Sequence, residues 1–152
     1  MLPVPAVAPA GGAGVRAARS PLRSSDMSTD EEHASQGTQT RREVLGNDHV
    51  NRAIANTTDF TAPFQDFITR YAWGDIWSRP GLSRADRSMI TIAILATLRQ
   101  EHELAMHVRA ALTNGLTPAQ IQEVLLQVAV YAGVPAANRG FAIAAEVLEN
   151  AT

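Results

Sequence analysis

The amino-acid sequence predicts an all-α domain of five or six helices behind a disordered N-terminal tail. Three observations carry this reading. Two helix starts are spelled out: Ser83-Arg84-Ala85-Asp86 is a loose capping box with Asp in place of Glu or Gln, and Thr117-Pro118-Ala119-Gln120 sets a capping Thr, a Pro at the first helical position and Gln at the third. Apolar residues recur at offsets of three and four, as in Ile121, Val124, Leu125, Val128 and Ala129. No stretch alternates with the period of two that a half-buried strand requires.

Residues 1–40 consist largely of Ala, Pro, Gly, Ser and Thr, with Pro3, Pro5, Pro9 and Pro21 and the run Gly11-Gly12-Ala13-Gly14. They offer no periodic apolar face to offset the entropy of ordering, so disorder is expected. The polar, acidic stretch after Met27 makes that residue an alternative translation start. Arg16, Arg19 and Arg23, with no acid before Asp26, faintly resemble a transit peptide. No charged start precedes an uninterrupted apolar stretch, as a secretory signal requires, and a cytoplasmic protein is expected.

The folded domain should occupy residues 41–150 and open with a helical pair over 42–55. A helix over 59–72 is expected to bury Phe60, Phe64, Phe67, Ile68 and Tyr71, and residues 73–82 form the loop that leads to Ser83. From there, residues 83–114 would make one helix of roughly 45 Å at 1.5 Å per residue, long for so small a domain. A break is expected at 99–101, where polar residues interrupt the apolar, buried run of 89–98 and where Glu101 and Glu103 suit a new first turn. Asn114-Gly115 closes that second helix, Gly133-Val134-Pro135 ends the next, and the last runs from Pro135 to Leu148.

The chain has 152 residues, 45% of them hydrophobic, and a formal net charge of −2, which suits one soluble globular domain. It lacks the strongly basic balance of a nucleic-acid protein and any apolar run near the ~20 residues that span a bilayer, so neither nucleic acid nor membrane is the expected partner. There is no cysteine, which removes disulfides, thiolate metal sites and thiol nucleophiles. All 13 basic residues of the Lys and Arg count are Arg. Without lysine there is no Schiff-base chemistry and no phosphate-binding P-loop, so any carbanion formed must find its electron sink in the substrate.

The densest titratable cluster is Glu101-His102-Glu103-Leu104-Ala105-Met106-His107, at the start of a helix. His102 and His107 are five apart, about 140° around a helix, and cannot imitate the histidine pair of a zinc protease, so no metal is expected. Glu103 and His107 are four apart and share a face with Gln100, the spacing at which a carboxylate orients an imidazole and holds its proton near neutral pH. On spacing alone the same pair also reads as an ordinary surface ion pair. Arg79, Arg84, Arg87 and Arg109 flank the aromatic loop and this cluster, and forked guanidinium groups beside rings suit small carboxylates. Taken singly they also read as solvated surface, and Trp73, Trp77 and Tyr131 as core or interface.

Three motifs in order, Tyr71-Ala72-Trp73-Gly74-Asp75-Ile76-Trp77-Ser78-Arg79-Pro80-Gly81-Leu82, Arg99-Gln100-Glu101-His102-Glu103-Leu104-Ala105-Met106-His107-Val108-Arg109-Ala110-Ala111 and Tyr131-Ala132-Gly133-Val134-Pro135-Ala136-Ala137-Asn138, resemble the carboxymuconolactone decarboxylase family. The resemblance covers roughly residues 41–150. It implies the alkylhydroperoxidase D-like all-α fold, assembled as a homo-oligomer, a trimer or hexamer. It also implies cofactor-independent decarboxylation of 4-carboxymuconolactone to 3-oxoadipate enol-lactone, in the protocatechuate branch of the β-ketoadipate pathway of aromatic catabolism. Redox relatives in that superfamily carry a Cys-x-x-Cys pair where this chain has Gln100 and Glu103, so their peroxidase activity does not transfer. Ala132 likewise stands where the decarboxylases often carry cysteine.

The implied substrate is a small dicarboxylate lactone that carries its own electron sink, so no cofactor is expected. On residue type and position, His107 is the candidate proton donor and Glu103 orients it. Arg79 and Arg84 are the candidate carboxylate binders and Trp73 and Trp77 the pocket walls, with Glu101, His102 and Tyr131 weaker candidates. The alternatives are a family member acting on another small carboxylated lactone or carbon acid, and a non-catalytic helical oligomer.

Overall fold

The computed structural model of the chain describes residues 24–151. All regular structure among them is helical: α1 (Ser24–Leu45), α2 (Asn47–Ala55), α3 (Ala62–Phe67), a π-helix (Ile68–Ile76), α4 (Arg84–Leu98), α5 (Glu101–Thr113), α6 (Pro118–Tyr131) and α7 (Val134–Glu149). None of these helices is long and apolar enough to cross a membrane. The all-α expectation holds, and the helix starts and stops follow the chemistry that announces them. Ser83 Oγ accepts from the Asp86 N–H at 3.1 Å while the Asp86 carboxylate accepts from the Ser83 N–H, so the loose box closes with Asp in the third position. Thr117 and Gln120 repeat the reciprocal pair ahead of Pro118. The expected break falls at Arg99, which ends α4 in the left-handed region at φ 57, and α5 restarts at Glu101.

The main core lies among α4, α5, α6 and α7. Ile92 of α4, Leu104 and Val108 of α5, Ile121 and Leu125 of α6 and Val147 of α7 are all buried in it. Each such side chain contributes about 1.5–3 kcal/mol of transfer free energy on burial. A second, smaller cluster seats Val44 of α1 and Trp73 of the π-helix against Ala110 of α5, with Leu45, Ala72 and Trp77 around them. One helix, α5, therefore belongs to both clusters and presents its remaining face between them.

Three expectations are corrected. The tail predicted over residues 1–40 is helical from Ser24 onward, and its earlier part lies outside the described residues. Helix formation there is tertiary: Thr40 is fully buried and shares a hydrogen bond with Ser78 at 2.9 Å, and Arg70 reaches Asp30 at 3.3 Å, contacts with no signature in the apolar pattern. The single helix predicted over 59–72 is instead the short α3 followed by the π-helix, which also takes in the first four residues of the expected loop at 73–82. In consequence, the stripe expected to be buried is turned outward, with Phe60 93% exposed and Phe64, Phe67 and Tyr71 exposed behind it. Gly74 and Trp73 take the inward position instead. Similarly, α4 is not buried all round: Ser88, Ile92 and Ala96 are buried, Met89, Ala93 and Leu95 are partly buried against the core, and Ile90, Ile94 and Leu98 remain exposed. These splits give seven α-helices and a π-helix among the described residues rather than five or six.

The approach of α1 to the π-helix is set by two glycines. A Cβ on Gly37 would collide with the Thr69 carbonyl oxygen and lie 2.9 Å from the Gly74 nitrogen, and one on Gly74 would collide with the His33 carbonyl oxygen. Backbone meets backbone here, and nothing flexible is available to yield. Gly74→Ala should therefore cost about 1–3 kcal/mol and lower Tm by roughly 5–15 °C in calorimetry. Gly81→Ala, where an added Cβ meets nothing within 4 Å, should leave Tm almost unchanged.

Candidate active site

His107 of α5 is 9% exposed. Its ring stacks on Trp77, centroids 6.2 Å apart at 22°, and Trp77 leans in turn on Trp73 at 5.2 Å and 33°. The π-helix that presents this wall is closed by the Trp77 N–H donating five residues back to the Ala72 carbonyl at 2.9 Å. It is pinned to α1 through Ser78, whose hydroxyl donates to the Trp73 carbonyl at 2.7 Å and pairs with Thr40 at 2.9 Å. The wall is thus fixed at both ends by hydrogen bonds.

The imidazole of His107 has one ring nitrogen unsatisfied. Its Nδ1 is buried with no hydrogen-bond partner, and Glu103, one turn earlier and exposed, acts on it only through charge. Burial, and then the nearby His49, push the His107 pKa down from 6.5 to about 4, against the smaller opposing pull of Glu103. The ring is neutral at pH 7 in the empty chain, whereas spacing alone suggested a proton held near neutrality. His49 on α2 is itself held below the usual histidine range, by burial first and then by Arg41, Arg52 and His102.

Two open cavities lined from α2 and α5 share His49, Arg52, Met106 and Arg109, and His107 lines neither of them. The larger, about 690 Å³, is completed by Leu45, Gly46, Asn47 and Asp48. The other, about 410 Å³, is completed by Ala53, Asn56, His102 and Ala105. By contrast, the groove of about 350 Å³ between α6 and α7 is lined by apolar side chains and Gln122, with no group to titrate or bind an anion. Among the described residues, no group of three or more His, Asp or Glu is placed to hold a metal ion.

Of the residues singled out from sequence, the structure brings His107, Trp73 and Trp77 together, with Glu103 within electrostatic reach. His102 faces the smaller cavity. The others lie apart from it. Arg79 pairs with Asp75 at 3.4 Å and Arg84 with Glu43, and neither lines either cavity. Glu101 is held by both Nε and Nη2 of Arg139, at 2.9 and 2.6 Å, which ties α5 to α7 and lowers the carboxyl's pKa. Tyr131 is 81% exposed at the end of α6. Sequence reasoning missed His49, Arg52 and Asn56. Their spacing of three and four was a polar face on α2 that could have marked them.

An all-α fold with a histidine buried against an aromatic wall, in a chain with neither Cys nor Lys, defines a class of helical proteins to which thiol and Schiff-base chemistry are closed. A family model described as the carboxymuconolactone decarboxylase family matches residues 62–146, and the chain belongs to that family. It is 49% identical over 121 residues to a 4-carboxymuconolactone decarboxylase of Acinetobacter baylyi, covering 80% of this chain and 90% of the relative. It is 43% identical over 115 residues to a nitrosuccinic acid decarboxylase of Metarhizium robertsii, covering 74% of this chain and 80% of the relative.

The depressed His107 pKa has a thermodynamic consequence. Between about pH 6.5 and 4 the unfolded chain binds a proton at this ring that the folded chain refuses, so the stability it contributes is complete above pH 6.5 and is lost as pH falls toward 4. Over that range the wild type should lose on the order of 3 kcal/mol more than His107→Gln. Urea denaturation at stepped pH measures this, and parallel curves for the two proteins would show that the ring is not buried neutral.

Proposed function

We propose that this chain decarboxylates 4-carboxymuconolactone to 3-oxoadipate enol-lactone without a cofactor, with His107 as proton donor and Glu103 as the residue that positions its charge. The observation that carries the reading is the buried imidazole with a free Nδ1 against the Trp77 and Trp73 wall, in a chain 49% identical to a protein with that named activity. The lactone ring supplies the electron sink. The bond to the departing carboxylate breaks, its electron pair passes through the C=C into the lactone carbonyl as a dienolate, and CO2 leaves. A proton then reaches the carbon next to that carbonyl from the imidazolium nitrogen, which keeps the N–H electron pair.

The neutral ring of the empty chain fits this sequence of events. The substrate is a dianion, and its arrival favours the charged form of a nearby imidazole, so a proton is taken up as the substrate binds. Glu103 adds to the same field. Apolar walls meanwhile strip water from the leaving carboxylate, whose charge disperses as CO2 departs. A second reading, another small carboxylated substrate, is favoured by the 43% identity to a nitrosuccinic acid decarboxylase, since a nitro group is also an electron sink. Turnover of the lactone and of nitrosuccinate, each followed by CO2 release, separates the two.

The exposed apolar surfaces support a homo-oligomer. Phe60, Phe64, Phe67 and Tyr71, the outer stripe of α4, and Val130 and Tyr131 of α6 leave more apolar area in water than monomers usually carry. Light scattering at micromolar concentration should give a multiple of the 16.3 kDa chain mass, and a monomer mass would refute the assembly.

For the catalytic roles, His107→Gln should lower kcat by roughly 10²-fold or more with the fold intact. His102→Gln should cost kcat much less than His107→Gln, because that side chain lies about 140° from His107 on the helix and lines the smaller cavity. Glu103→Gln should fall between, and its kcat should decline at lower pH than the wild type, since removing the carboxylate lowers the pKa of the imidazolium in the complex. A larger kcat loss in His102→Gln than in His107→Gln would exchange the two roles.

A further inference from the structure

Of the arginines without a carboxylate partner among the described residues, Arg52 and Arg109 line the cavities between α2 and α5. Arg41 is buried and bonded to Gln65, Arg42 bonds Asn47 and Asn51, and Arg70, Arg79, Arg84 and Arg139 are all in ion pairs. Arg52 on α2 and Arg109 on α5 make no ion pair, yet both line both cavities, together with His49. His102 and Asn56 join them in the smaller cavity, where no acid is present. In the larger cavity Asp48 is the single lining acid. Two guanidinium groups thus gather beside two imidazoles with little compensating negative charge, an arrangement that an anion complements. The repulsion is visible inside the cluster, where Arg52 and His102 both disfavour the proton on His49.

We propose that Arg52 and Arg109 form the subsite for the carboxylate that the reaction leaves in place, a site for the far end of a small dicarboxylate. The inference rests on the decarboxylation reading and assigns the anion recognition that the sequence placed on Arg79 and Arg84. Two carboxylates on one substrate need different surroundings. The one that departs must lose its solvation against apolar walls, and the one that stays must be held by charge throughout. Trp77 and Trp73 supply the first environment around His107, and the cavities between α2 and α5 supply the second. The segment that matches the family model begins at residue 62, so Arg109 lies within it and Arg52 lies ahead of it. The subsite is thus built half from the shared family segment and half from an element outside it, which is where selection among dicarboxylates would be exercised.

The test uses the full chain and two readouts. In steady-state kinetics with 4-carboxymuconolactone, Arg52→Gln and Arg109→Gln should each raise KM about tenfold to a hundredfold with kcat within about threefold of wild type. In isothermal titration with adipate, a saturated dicarboxylate that cannot lose CO2, each variant should bind at least about tenfold more weakly than wild type. The double variant should bind no better than either single one. Adipate binding reports on the subsite whether or not the lactone is turned over. A protein that binds adipate through these arginines but leaves the lactone untouched keeps the subsite and loses the reaction assignment. Unchanged KM and unchanged adipate affinity in both variants overturn the inference, as does a wild type that binds adipate no better than the double variant. A KM raised by Arg79→Gln or Arg84→Gln and not by Arg52→Gln or Arg109→Gln returns the role to the loop. Both Arg52 and Arg109 are exposed and outside the core, and matching circular dichroism melts confirm that their variants are folded.

Discussion

The site depends on a contact between backbones. Gly37 of α1 and Gly74 of the π-helix meet where neither can carry a Cβ, and this lets the π-helix lie on α1 closely enough for Thr40 to reach Ser78. Ser78 in turn holds the Trp73 carbonyl, so the end of the π-helix and the two tryptophans it carries are fixed in place. Trp77 then covers the ring of His107. The burial that this cover produces is the largest cause of the depressed histidine pKa. A steric fact about two glycines is connected by four contacts to the protonation state of the residue proposed to do the chemistry.

A buried neutral imidazole next to an uncompensated cationic cavity is a poor resting arrangement in isolation. Its polar Nδ1 has no partner, and in the cavity Arg52 and His102 both disfavour a proton on His49. Both costs have the same remedy. On the proposed reading a dianionic ligand would neutralise the arginines and favour the imidazolium in one event, which would link binding, desolvation and proton uptake and would favour ligands with two negative charges.

Helix boundaries were legible because they are written locally. Ser83 with Asp86, Thr117 with Gln120, and the polar break before Glu101 each satisfy backbone groups within a turn, and each appears where the residues put it. His107, Trp73 and Trp77 were legible as a group because motif resemblance carried them. The failures were tertiary. Nothing in a Ser, Thr and Gln sequence announces that Gly37 and Thr40 will seat against another helix, and a phenylalanine stripe looks the same whether its partner is the core of its own chain or surface beyond it. The arginines failed for a related reason. Proximity in sequence to the aromatic loop favoured Arg79 and Arg84, but Asp75 and Glu43 neutralise them, and the unpaired Arg52 belongs to a helix more than fifty residues before His107.

The placement of functions along the chain constrains how such a site can diverge. His107, both tryptophans and Arg109 fall within residues 62–146, the segment that matches the family, whereas Gly37, Thr40, Val44, His49 and Arg52 precede it. The proposed proton donor and its wall are therefore carried by the shared segment, and α1 and α2 supply the backing for that wall and one side of the cavity that holds Arg52 and Arg109. On the proposed reading, substitutions on α2 would change which anion is held, and α2 reaches His107 through the field of His49. Substitutions at the α1 crossing cannot be so selective, since they displace Trp77 and with it the burial that sets the ring's charge. A family with this construction can exchange one activated carboxylate for another by altering α2 while keeping α1, the π-helix and α5 as a unit. Two relatives with different named substrates, at 49% and 43% identity, are what that division of labour allows.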